Sequence, residues 1–333
     1  MLYVSTRSRT DSYTAHRALH EERAPDGGLY IPFQLRRFTP EEIRQFKQRS
    51  FSENVAYILN VFFSCKFNSW DVEFCCGRNP MKHIQMPHKL SIVETWHNTA
   101  STYAYMEQEL FSMLTGTNHA VAPAYGWARI AIRIAILFAI YGEAVICGNG
   151  IATDVTVDTD MFLSPVAAWY ARQMGLPIGK ILCGTLTHGN VWDLLQTGTM
   201  NTVIQNSEMI GIERLIYFTL GTDEVLRYVS CRSKQQAYHL DDERCSMLNA
   251  GCFAAVISEE RQSAMIGSFY RSHGYVLDMP AAISFSALQD YRAHTGESKQ
   301  TLLLSLANPL KNVRDIQHLF GITAAELESA VTK

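Results

Sequence analysis

The chain has 333 residues, 47% apolar and 18% charged, so it can bury a sizeable core and is too apolar to be disordered. Lysine and arginine number 29 against 32 aspartate and glutamate, a net charge of −3, which gives no electrostatic footprint for nucleic acid or an anionic membrane. No run reaches the roughly 18 apolar residues of a membrane span.

The opening MLYVSTRSRT lacks an apolar stretch, so no secretory signal is expected. Residues 24–32, Ala-Pro-Asp-Gly-Gly-Leu-Tyr-Ile-Pro, predict a tight turn into a short strand, with the glycines at positive φ. Thr39-Pro40-Glu41-Glu42 predicts a capped helix start, and a second helix is expected from an N-cap at Ser52. Residues 66–90 read as irregular. Strands are expected at Leu90–Trp96, Ala144–Cys147, Val155–Val157, Ile181–Cys183 and Leu302–Leu306. Helices are expected at Ser101–Leu114, Trp127–Tyr141, Pro165–Met174, Val191–Gln196, Glu213–Leu220, Ser258–His273, Ala281–Thr295 and Ala324–Val331. The alternation predicts an α/β fold with a mostly parallel sheet and flanking helices. Eight scattered cysteines without a Cys-x-x-Cys pair suit a reduced, cytoplasmic protein and no metal site.

Several patterns, in order, resemble threonine synthases, which belong to the second fold type of pyridoxal-phosphate (PLP) enzymes. Tyr3-Val4-Ser5-Thr6-Arg7 resembles the family's start, and the nine residues 24–32 are similar to its most recognisable N-terminal motif. Glu94-Thr95-Trp96-His97, Trp127-Ala128-Arg129-Ile130, residues 171–177, Glu213-Arg214-Leu215 and residues 305–311 resemble later markers. The resemblance implies a threonine-synthase-like N-terminal segment over residues 1–90 and a fold-type II α/β domain over 91–333.

It also implies parts that this chain lacks. The family's Schiff-base lysine follows the histidine by seven residues; counting from His97, that position is Ala104. The family's phosphate loop has two glycines where this sequence has Asp160 and Leu163, whose side chains would crowd a phosphate. Only residues 115–125 separate two helices between which the family places its smaller lid domain. The expectation is a truncated, degenerate paralogue with the lid deleted, the PLP site lost and no cofactor.

The residues that would remain at the strand ends define the candidate site. His97 could act as acid or base, with Asn98, Thr99, Ser101 and Thr102 binding a carboxylate or phosphate at a helix start; the same residues would also serve as an ordinary N-cap. Asp160 and Thr159 could bind an amine or form a solvated turn. His188 is a second pocket base or a surface histidine. Arg129 binds a substrate carboxylate or pairs with an acidic residue. The run Asp241-Asp242-Glu243 reads as a solvated turn. Two function classes follow: a PLP-independent enzyme for a small amino-acid-like or phosphorylated metabolite, or a non-catalytic binding or regulatory protein. A third reading keeps PLP on another lysine. A homodimer is expected, because a missing lid would expose apolar surface.

Overall fold

A computed structural model describes residues 1–78, 80–96, 103–116, 126–143, 152–157, 162–186, 190–202, 208–309 and 325. The N-terminal segment opens with β1 (Tyr3–Ser5), followed by α1 (Ala15–His20) and then β2 (Tyr30–Pro32), which pairs antiparallel with β1. The two glycines before β2 serve different ends. Gly27 sits at φ +78°. Gly28 is not left-handed; a Cβ there would stand 2.0 Å from Ser5 Oγ, so the close approach of the turn to β1 requires glycine. This ribbon is locked to a distant helix: the Thr6 hydroxyl donates to Glu213 Oε1 at 2.6 Å, and Arg7 pairs with Glu213 Oε2 at 3.1 Å.

Capping boxes start the next helices. Thr39 and Glu42 open α2 (Pro40–Gln45), and Ser50 and Glu53 open α3 (Phe51–Phe63). The N-cap of α3 is thus Ser50 and not Ser52, because only Ser50 has a glutamate three residues on. The stretch expected to be irregular contains α4 (Ser69–Cys76), capped by Asn68 and Asp71, and β3 (Lys82–Met86). β4 (Leu90–Glu94), α5 (Tyr103–Thr115), α6 (Trp127–Glu143), β5 (Thr153–Val157), α7 (Leu163–Gln173), β6 (Ile178–Thr185) and α8 (Asn190–Thr197) follow. The chain then runs through β7 (Thr199–Met200), α9 (Glu208–Leu220), α10 (Thr222–Ser233), β8 (Tyr238–His239), α11 (Asp242–Asn249) and β9 (Cys252–Val256). It closes with α12 (Glu259–His273), α13 (Met279–Thr295) and β10 (Thr301–Ser305). The acidic run is no solvated turn: Asp241 caps α11, and Asp242 and Glu243 fill its first turn, where the helix dipole favours them. The strand expected at Ala144–Cys147 and, Ala325 apart, the helix at Ala324–Val331 lie outside the described residues.

The main sheet has the order β3-β4-β10-β5-β6-β9, parallel throughout except for the antiparallel edge strand β3. Two separate two-stranded ribbons, β1–β2 and β7–β8, lie apart from it. Alternate residues of each strand serve two helical layers. Val93, Val155, Ile181 and Leu302 pack with α3, α6 and α7 in one core, which also takes in Tyr3 and Tyr30 of the N-terminal ribbon. Ile92, Leu182 and Leu303 pack with α12 and α13 in a second core. The fold is therefore α/β, a mostly parallel sheet between helices. Among the described residues no helix is long and apolar enough to cross a membrane. The seven described cysteines are free thiols, and Cys75, Cys76, Cys183 and Cys252 are buried. Burial pushes the Cys75 thiol up to about 11 and that of Cys252 up to about 12.

Candidate functional site

Parallel strands bring their carboxyl ends to one edge of the sheet, where open α/β folds bind ligands. Here β4 and β10 end side by side, and a buried polar network joins them. Glu94, the last residue of β4, accepts a hydrogen bond from the Tyr275 hydroxyl at 2.9 Å. Thr95 donates from both its backbone N–H and its hydroxyl to the Ser305 carbonyl, each at 3.0 Å. The Trp96 indole donates to Ser305 Oγ at 2.8 Å, and Ser305 Oγ donates in turn to Asp278 Oδ2 at 2.5 Å.

Asp278 holds this network because it is also the N-cap of α13: its Oδ1 accepts from the Ala281 N–H at 2.7 Å, with proline in the first turn. Its Oδ2 also faces the Ala307 N–H at 3.3 Å. Burial pushes the Asp278 carboxyl up to about 6, while the bonds from Ser305 and the backbone hold it back. Tyr275 is raised far above the usual phenol range, first by burial and then by the Glu94 carboxylate, so it stays a neutral donor. The arrangement can fix the path of the chain leaving β4 and hold a proton beside it.

That chain leaves Trp96 directly into the candidate residues. His97, Asn98, Thr99, Ser101 and Thr102 lie outside the described residues, as do Thr159 and Asp160 after β5 and His188 after β6. Their preceding strands, β4, β5 and β6, end at the same edge of one sheet. Ala104, which the resemblance pairs with the Schiff-base lysine, is exposed in the first turn of α5. Leu163, paired with a loop glycine, is fully buried at the start of α7.

Arg129 is described, and it pairs with an acid. Its Nη1 lies 3.2 Å from Glu107 Oε1, and its guanidinium covers the Phe111 ring. Arg133, one turn on, lies 2.9 Å from Glu107 Oε2 and donates to the Ser164 hydroxyl. Glu107 is buried, so this cluster ties α5, α6 and α7 together beneath the sheet's carboxyl edge. The sequence reading missed Glu107, Tyr275 and Asp278. The signal for Asp278 was available: an aspartate two residues before Pro280 and ahead of a helical stretch.

The model for the threonine synthase N terminus matches residues 2–79. Human threonine synthase-like 1 is 25% identical over 205 residues, covering 56% of this chain and 28% of its own length. Threonine synthase of Pseudomonas aeruginosa is 24% identical over 212 residues, or 60% of this chain and 44% of its own. The solved structure of PLP-bound threonine synthase from Brucella melitensis superposes with a TM-score of 0.83 at 18% identity, covering 100% of this chain and 95% of that one. The chain is similar to the threonine synthase N terminus in sequence over residues 2–79, and it shares the threonine synthase fold along its whole length. It spans about a quarter of the human relative's length. The fold places the Glu94–Asp278 network at the carboxyl edge of the sheet.

Proposed function

We propose that this threonine-synthase-like protein works without PLP and takes a small amino-acid-like or phosphorylated metabolite at the carboxyl edge of its sheet. The observation that carries the reading is Ala104. A methyl group stands on the exposed first turn of α5, where the family resemblance requires an amine, and alanine can neither anchor an aldehyde nor move a proton. Buried Leu163 adds to it, because it replaces backbone that would have to approach a phosphate closely. The residues present therefore do not fit the PLP that the Brucella melitensis enzyme binds.

In this reading His97 and Asp160 carry acid–base work, and Asn98, Thr99, Ser101, Thr102, Thr159 and His188 bind the ligand's polar groups. Arg129 supports them through Glu107. The protein is cytoplasmic and forms a homodimer, for which the exposed Trp70 and Phe74 on one face of α4 offer an apolar surface. The test is a thermal-shift series with amino acids and phosphorylated homoserine analogues. A ligand at 100 times its Kd adds about 2.7 kcal/mol of stability. The shift is expected in the native protein and lost in His97→Ala and Asp160→Ala. A native protein that no metabolite shifts, but that sediments as a tight complex, favours the non-catalytic binding reading.

One observation favours a second reading in which PLP is retained. Lys82 is the direct cross-strand partner of Glu94, so its amine stands at the same edge of the sheet. A borohydride-reducible yellow adduct mapped to Lys82 selects that reading and ends the first. A colourless protein that gains no visible band with added PLP removes it.

A further inference from the structure

A cavity of about 530 Å³ opens at the opposite end of β4, beside the β3–β4 turn and between α12 and α13. It falls in the size range of small-molecule pockets. Leu90, Phe269, Phe285 and Leu288 form its apolar wall, and His88, His273 and Arg292 supply its ionisable groups. No aspartate or glutamate is among the described residues that line it.

Arg292 is the telling residue. It is half-buried, and its Nη2 donates to the Lys299 carbonyl at 3.2 Å and the Thr301 hydroxyl at 3.3 Å. Among the described residues it forms no ion pair, although burial disfavours its charge and Asp154 is the acid that most offsets this. A guanidinium set against an apolar wall, with no acid in ion-pair contact among the described residues, calls for an anion. His273 points the same way: its ring stacks on Phe269 at 4.3 Å and its Nδ1 faces the Phe269 carbonyl, which leaves Nε2 for another partner. The turn that brings His88 to the rim holds two successive non-glycine residues at positive φ, His88 at 59° and Lys89 at 58°.

We propose that this cavity binds an apolar monocarboxylate, with the carboxylate on Arg292 and the aliphatic or aryl body against Phe269, Phe285 and Leu288. The site is separate from the carboxyl edge and does not depend on how that edge works. Isothermal titration of the full chain with octanoate and 3-phenylpropanoate, each against its neutral amide, tests it. The carboxylates are expected to bind at least tenfold tighter than the amides. Arg292→Gln should weaken the carboxylates about tenfold and leave the amides unchanged, consistent with the loss of a charge-assisted hydrogen bond. Ser268 is an exposed residue at the cavity rim, so Ser268→Trp should fill the mouth and abolish binding without disturbing the core. Equal affinity for acid and amide, an unchanged Kd in either variant, or no binding by the native chain overturns the proposal. The native comparison of acid with amide decides it even where a variant fails to fold.

Discussion

Asp278 is a buried carboxyl whose ordinary pKa of 3.8 is raised to about 6. Between those values the folded chain keeps a proton that the unfolded chain has lost. The group's contribution to stability is therefore fully present below about pH 4, falls as pH rises through about 6 and is flat above, an effect of order 2–3 kcal/mol at most. Urea midpoints of the native protein should decline over that window by comparison with Asp278→Asn, which keeps an N-cap acceptor for Ala281 but has no charge to bury. Equal slopes would show that Asp278 ionises freely. Gly28 makes a second residue-scale case. Gly28→Ala drives a Cβ into Ser5 Oγ and is expected to cost about 1–3 kcal/mol in a urea titration, although its φ would permit alanine. The sequence marked this position for its turn; the reason it must be glycine is a neighbour 23 residues away, which no local pattern reports.

Between elements, the Glu107 cluster is a buried polar tie. Glu107→Ala leaves Arg133 buried beside an empty acceptor position and should cost about 3–5 kcal/mol by chemical denaturation. Arg129→Ala should cost much less, because Arg133 still satisfies Glu107. If Arg129→Ala instead left stability unchanged and cancelled the metabolite shift, its guanidinium would belong to the ligand. Helices whose ends are written in neighbouring residues were legible: the capping box at Thr39–Glu42, the periodic run from Trp127 and the Pro165 helix all lie where their residues put them. β3 and β9 were not. β3 is a half-exposed edge strand without strict alternation, and β9 is a five-residue apolar run whose identity comes from pairing with β6, set by tertiary packing rather than propensity. The network at the carboxyl edge was hidden for the same reason, since Glu94, Tyr275, Asp278 and Ser305 meet only once β10 has inserted between β4 and β5.

At the scale of the molecule, the N-terminal ribbon is part of the main core. Tyr3 is fully buried, its hydroxyl donates to the Phe62 carbonyl at 3.0 Å, and its ring meets Trp127 edge-on. Removing residues 1–32 should strip the cover from α3 and α6 and leave a chain that binds a hydrophobic dye in native buffer. If the proposed homodimer uses α4, Trp70→Asp with Phe74→Asp should yield a monomer by sedimentation with unchanged unfolding, since both side chains are exposed.

The buried thiols turn this layered architecture into its own stopwatch. Alkylating reagents consume only the thiolate, and Cys75 and Cys252 are buried and kept as protonated sulfhydryls. Cys75 lies on α4 and Cys252 on the sheet edge at β9. Timed mass tagging of the native protein would then date the opening of each region separately, with no probe introduced.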